Sequence, residues 1–156
     1  MKNFHTTPMD KIRNIVIHTD GGSRGNPGAS AIGLVIEEQG EHIYSCGKPI
    51  GIGTNNQAEY EAVRESLSWM IKNIPKNDRG TSLSFFLDSL LVVQQLKGVF
   101  KIKHPDLKIR ADEIQRLMRE VRGEVQFFHI PRAENSAADA LVNQALDSGK
   151  EIIPKH

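Results

Sequence analysis

The chain has one cysteine in 156 residues, Cys46, so no disulfide closes within it and a cysteine-based zinc site is excluded. It has no long hydrophobic run either. The longest apolar stretches are about six residues, against the ~20 that a membrane-spanning helix requires. The opening residues, MKNFHTTPMDK, lack the apolar core of a secretory leader. Internal repeats and low-complexity tracts are missing. So is a G-x-x-x-x-G-K-[ST] loop, which argues against nucleotide binding of the P-loop kind. No nucleophile elbow of the Ser/His/Asp or Cys/His type is recognisable. Net charge is almost absent, since 20 Lys and Arg against 19 Asp and Glu leave +1. The expectation that remains is one globular domain, long enough to bury a core without staples, in a reducing, cytoplasmic setting and away from membranes.

Four acidic residues stand in four different local settings. Asp20 ends an apolar run (IVIHTD) just before a glycine-rich turn, GGSRGNPG. Glu59 sits in the first turn of a helix predicted from TNNQAEYEAV. Asp88 terminates a second apolar run, LSFFLD, and Asp139 lies inside another predicted helix, ENSAADALVNQALD. No local period relates them, so only a fold brings them together. Converging carboxylates with no obvious basic neighbour repel one another unless a divalent cation holds them. That combination suits phosphodiester hydrolysis, where two ions roughly 3.5–4 Å apart activate a water and stabilise the leaving oxygen. Glycoside hydrolysis would need only two carboxyls, one of them protonated. Each acid taken alone also has a structural reading. Asp20 starts a turn, Glu59 partners Asn56 in a cap, Asp88 caps a helix, and Asp139 is a surface acid.

The organisation read from the pattern is three strands, helix, strand, two helices, strand, helix. Residues 1–13 read as a loose extension, 14–149 as the domain and 150–156 as a tail. Strands are predicted at 14–20, 31–38, 41–48, 82–87 and 124–130, with the second and third joined as a hairpin at Gln39-Gly40. Residues 21–28 read as a loop and 49–53 as a glycine-rich connection. The helix over 56–73 carries Ala62, Val63, Leu67, Met70 and Ile71 at three- and four-residue spacing. Glu59 falls four residues before Val63, in line with that buried stripe rather than opposite it. Further helices are predicted at 89–97, at 105–122 with Ile109, Ile114, Leu117, Met118 and Val121 inward, and after an Asn135 N-cap. The last buries Ala138, Leu141, Val142 and Ala145. Hairpin strands followed by alternating elements imply a mixed α/β sheet with helices on its faces.

The four acids and their flanks together resemble the type 1 ribonuclease H family. TDGGSRGNPG resembles its first-strand motif, TNNQAEY the opening of its first long helix, LDS the strand carrying its third acid, and AENSAADAL its last motif, N-x-x-x-D. The resemblance runs in order from Ile15 to Asp147. It implies a ribonuclease H-like fold, a five-stranded mixed sheet whose first three strands are antiparallel, with helices on both faces. It implies endonucleolytic hydrolysis of the RNA strand of RNA/DNA hybrids by a monomer using two Mg²⁺ ions, with Mn²⁺ as substitute. The ends left would be 3′-hydroxyl and 5′-phosphate. Asp20, Glu59, Asp88 and Asp139 would be the metal ligands, with Asp20 bridging. Gly21, Gly25 and Gln57 would read the RNA 2′-hydroxyl together with Glu59, and Asn26, Thr54, Asn55 and Asn56 would contact the hybrid.

The sequence departs from that pattern in three places. The stretch Gly98–Lys108 is too short for the family's full basic protrusion. Five Lys and Arg between Lys97 and Arg110, with one acid, stand in its place. Leu90 occupies a position where Gln is familiar. Of two candidates for an assisting cation after the last strand, Arg132 is favoured over His129, which belongs to the strand itself. Two other functions compete with hybrid cleavage: a catalytically weak module that binds hybrid or double-stranded RNA, and a nuclease for RNA–DNA junctions or double-stranded RNA.

Overall fold

Strand β1 (Arg13–Arg24) alternates buried and half-exposed residues up to Asp20, and it runs on through Gly21, Gly22 and Ser23. A computed structural model describes residues 12–75, 80–121 and 123–154. The predicted loop over 21–28 is therefore mostly strand, and the reversal takes only 25–27 before β2 (Gly28–Glu38) begins. Glycines imitate a break in the sequence, yet here they extend the ladder from Gly21↔Ile32 to Arg24↔Ala29. The same correction applies to 49–53, which belongs to β3 (Glu41–Gly53). The register slips beside Pro49, where Ser30 faces Gly51 and Ala31 faces Pro49. β3 is an edge strand, and edges and bulges tolerate Pro.

Helix α1 (Asn55–Asn73) starts at a capping box: Thr54 accepts from the Gln57 amide at 3.1 Å while Gln57 Oε1 accepts from the Thr54 amide at 2.9 Å. β4 (Thr81–Leu87), α2 (Leu90–Leu96), α3 (Pro105–Glu120), β5 (Gly123–His129), a 3-10 turn (Arg132–Asn135) and α4 (Ser136–Ser148) follow. Strand order is β3-β2-β1-β4-β5, with β1–β2 and β2–β3 antiparallel and β1–β4 and β4–β5 parallel. This is the five-stranded mixed sheet of a ribonuclease H-like fold. The extension expected at 1–13 lies almost wholly outside the described residues. Part of the tail is described, and Ile152 exchanges both backbone hydrogen bonds with Gly47 on the β3 edge.

One sheet face packs Ile15, Ile17, Leu34, Leu83 and Phe85 against Tyr60, Val63 and Leu67 of α1, joined by residues of α2 and α3. In α3 the buried stripe is Leu107, Ala111, Ile114 and Leu117, so Ile109, expected inside, is exposed. The stripe starts two residues before the first position that the apolar spacing suggests. The opposite face carries α4, whose buried Ala138, Leu141, Val142 and Ala145 match expectation. Gly33 and Gly47 sit paired under that helix. A Cβ on either would collide with the carbonyls of Ala138 and Leu141 respectively, so α4 lies closer to the sheet than side chains would allow. Among the described residues no helix is long and apolar enough to cross a membrane.

Candidate active site

β1 and β4 run parallel side by side, and the chain leaves their carboxyl ends in opposite directions. In open α/β sheets such a divergence is where ligands bind. Asp20 lies at that end of β1, and Asp88 directly follows β4. Glu59 opens the second turn of α1, because the helix begins at Asn55, one residue earlier than predicted. Oxygens of Asp20, Glu59 and Asp88 all lie within 4.8 Å of one another. Asp139 reaches Asp20 from the first turn of α4, close enough to share a hydrogen bond with its carboxyl.

Gly21 makes the approach of α1 possible. A Cβ there would occupy the space of the Ala58 carbonyl and the Glu59 amide, so the helix backbone rests directly on the strand. The Gly21 N–H is directed at the carboxylates of both Asp20 and Glu59. That single donor does not offset the crowding. Burial, then Asp88 and Asp139, push the Asp20 carboxyl from an ordinary 3.8 up to about 7. Burial, then Asp20 and Asp88, raise Glu59 well above its usual range, with Gly21 and Arg132 opposing. Oε1 of Glu59 is buried and has no hydrogen-bond partner. An orphaned carboxylate oxygen among like charges is the environment a hard divalent cation relieves, and all-oxygen donors fit Mg²⁺ or Mn²⁺.

The structural alternatives for the acids give way to other residues. Ser89, not Asp88, caps α2 through the Val92 amide at 3.3 Å. Thr54 and Gln57, not Asn56 and Glu59, cap α1. Asn135 stands at the N-cap position of α4 but makes no capping bond. Its Nδ2 instead donates to the Thr19 carbonyl at 2.8 Å and to Asp88 Oδ2 at 3.2 Å. His129 ends β5, paired with Leu87, as expected of a strand residue. Arg132, in the turn after Pro131, is near enough to Glu59 for its charge to oppose, in small part, the rise of the Glu59 pKa.

Most of the residues expected to meet a substrate gather where the β1–β2 turn meets the start of α1. Gly25 holds the hairpin turn at φ 87°. Asn26 Oδ1 accepts from the Asn55 amide at 3.0 Å, and Asn55 Oδ1 accepts from the Ser23 amide at 2.8 Å. These bonds lash the β1–β2 tip to the start of α1. Asn26, Thr54, Asn55, Asn56 and Gln57 line one cavity of about 310 Å³ together with His104 and Leu107. Leu107 is not among the residues that the sequence marks, and His104 is marked only as an addition to the basic stretch from Lys97 to Arg110. Gln57 is also more committed than expected, because Nε2 donates to Asp106 at 2.8 Å while Oε1 serves the cap. One Nε2 proton remains for a ligand. Lys97, Lys101 and Lys108 border a second cavity, about 370 Å³, with Phe100 on its wall.

With this geometry in view, likeness to known proteins is specific. Residues 18–145 match the family described as Reverse transcriptase-like. The chain is 36% identical over 139 residues to the bifunctional protein Rv2228c of Mycobacterium tuberculosis, covering 88% of this chain and 36% of that protein. Against ribonuclease HI of Halobacterium salinarum it is 36% identical over 140 residues, 88% of this chain and 67% of the relative. The solved structure of LC11-RNase H1 in complex with RNA/DNA hybrid superimposes with a TM-score of 0.80 at 39% identity, over 86% of this chain and 98% of that one. Fold and site thus define a ribonuclease H-like domain. The chain belongs to the type 1 ribonuclease H family. It spans about a third of the length of the mycobacterial relatives it matches.

Proposed function

We propose that this protein is an endonuclease that hydrolyses the RNA strand of RNA/DNA hybrids, with two divalent cations held by Asp20, Glu59, Asp88 and Asp139. The observation that carries the reading is the meeting of three carboxylates from β1, α1 and the end of β4 within 4.8 Å. The bound ions supply an activated water and a stabilised leaving oxygen. Water oxygen bonds to phosphorus as the P–O3′ bond breaks, leaving a 3′-hydroxyl and a 5′-phosphate.

The chain's own groups do the rest. Asp20, flanked by the other acids, would be the ligand shared by both ions. Arg132 holds positive charge beside Glu59 without occupying the buried cluster. The flat strand end at Gly21 and the turn at Gly25 let backbone groups approach the 2′-hydroxyl in a wide, shallow minor groove. Asn26, Thr54, Asn55 and Asn56 present polar groups along the adjoining cavity, and Gln57 adds its free amide proton. Lys97, Lys101, Lys103 and Lys108 take over part of a protrusion's electrostatic grip. A monomer in the cytoplasm, using Mg²⁺ before Mn²⁺, belongs to the same reading, as does a domain spanning 14–149.

The test is incubation with labelled hybrid, double-stranded RNA and double-stranded DNA in Mg²⁺, Mn²⁺ or EDTA. Cleavage of the RNA strand of the hybrid alone, abolished by EDTA, is expected. Binding without cleavage in either metal would identify a binding module instead. Preference for junctions or double-stranded RNA would reassign the substrate.

A further inference from the structure

An asparagine at a helix N-cap ordinarily turns its side-chain oxygen back to the amides of the first turn. Asn135 does not, although it stands at that position in α4. The residue is 1% exposed and both protons of Nδ2 are spent across the site, on the Thr19 carbonyl and on Asp88 Oδ2. Oδ1 is buried without a partner. Turning the amide over would set Oδ1 against two acceptors, so the orientation is fixed by chemistry. A buried amide satisfied at only one end is a costly choice for packing alone.

This group joins three of the four elements that carry the acids, all but α1. Thr19 directly precedes Asp20 on β1, Asp88 follows β4, and Asp139 lies one helical turn beyond Asn135. We propose that Asn135 is a positioning residue for the metal centre, pinning one oxygen of Asp88 so that the other is presented to a cation. The inference rests on the metal-ligand reading of the acids given above. It concerns orientation, since Nδ2 donates and cannot itself bind a cation.

The test is Mn²⁺ titration of the full chain by isothermal calorimetry, without nucleic acid. Wild type, Asn135→Ala, Asp88→Asn and the double variant are compared, with thermal melts of each in EDTA. Outer partners of metal ligands typically cost 10–100-fold in affinity when removed. Asn135→Ala is accordingly expected to raise the Mn²⁺ Kd about tenfold or more. On the Asp88→Asn background the same change should cost far less, because the group it orients is already gone. Should Asn135→Ala fail to fold, Asn135→Ser carries the same expectation. Unchanged Kd with a lowered Tm overturns the proposal, as does a full loss in both backgrounds, or unfolding of both Asn135 variants with and without Mn²⁺. If wild type binds no Mn²⁺, the ligand reading of the acids fails first, a distinct result.

Discussion

Replacing Asp20 by Asn removes one charge from the centre of the acidic cluster while nearly preserving shape. In the folded chain this carboxyl is pushed up to about 7 from 3.8, first by burial and then by Asp88 and Asp139. Its folded pKa exceeds its unfolded one, so the folded state holds the proton more tightly. Stability without metal is therefore greatest at low pH and falls as pH rises from about 4 through about 7. The rise from 3.8 to about 7, at roughly 1.36 kcal/mol per pH unit, sets a ceiling of about 4 kcal/mol above pH 7. About half should be recovered by Asn, whose amide must itself find partners. For a domain of this size ~2 kcal/mol corresponds to a Tm rise of about 4–8 °C. Melts followed by circular dichroism in EDTA at pH 5 and pH 8 provide the assay. Asp20→Asn should melt higher at pH 8, with the gap narrowing at pH 5, and should not cleave hybrid. Added Mn²⁺ should raise the Tm of wild type and leave the variant nearly unmoved. A variant melting at or below wild type at pH 8, or a gap indifferent to pH, refutes the crowding argument. Normal turnover refutes the site.

The remaining perturbations probe other parts of the molecule. Arg132→Ala should lower the single-turnover cleavage rate about 100-fold, the low end for removing a group that stabilises a developing anion, with hybrid affinity little changed. His129→Ala should stay near wild type, and the reverse order would transfer the role to the histidine. Lys101→Ala with Lys103→Ala should flatten the dependence of log affinity on log salt, by roughly 0.9 for each phosphate no longer neutralised. Fluorescence anisotropy on a hybrid in EDTA reads that slope, and an unchanged value removes these lysines from the interface. Arg13→Met takes from Glu38, which is 0% exposed, an ion-pair partner at 2.6 Å and should cost up to about 3–5 kcal/mol in urea unfolding. Gly33→Ala should lift α4 and lower cleavage along with Tm. Gly40→Ala, with nothing within 4 Å of its Cβ and φ of 77°, should cost only about 1 kcal/mol of stability and leave turnover intact.

What can be read from the chain divides along physical lines. Asp20 and Asp88 are legible because each is the charged residue that closes an apolar run, where a strand passes the end of its apolar core. Glu59 is legible because it falls in register with Val63 on a stripe that is otherwise buried, a place a merely solubilising acid would not take. The lengths of β1 and β3 are not. Glycine and proline usually mark turns, but Gly21 is there for the close approach of α1, and Pro49 sits on an edge beside a bulge. Asn135 reads as a cap because capping is a local property visible over four residues. Its actual partners are 116 and 47 residues away, and no local pattern encodes them. The link from Gln57 to Asp106, 49 residues on, is hidden for the same reason.

A site of this kind sets two requirements against each other. The acids must be close enough to share cations, yet the closer they lie the more the metal-free fold is strained by their repulsion. Side-chain flexibility would resolve the conflict by letting the carboxylates swing apart into water, and the binding geometry would go with them. Here the backbone prevents that. Gly21 seats α1 directly on β1, and Gly33 and Gly47 seat α4 directly on β2 and β3, so Glu59 and Asp139 start from backbones too near to retreat. Asn135 and the Gly21 N–H then hold the carboxylates by hydrogen bonds that leave oxygens over. The raised pKa values of Asp20 and Glu59 and the orphaned Glu59 oxygen are consequences of that rigidity. On the reading proposed above, cations would return the stability that this crowding costs, because the carboxylates would need no reorganisation to receive them.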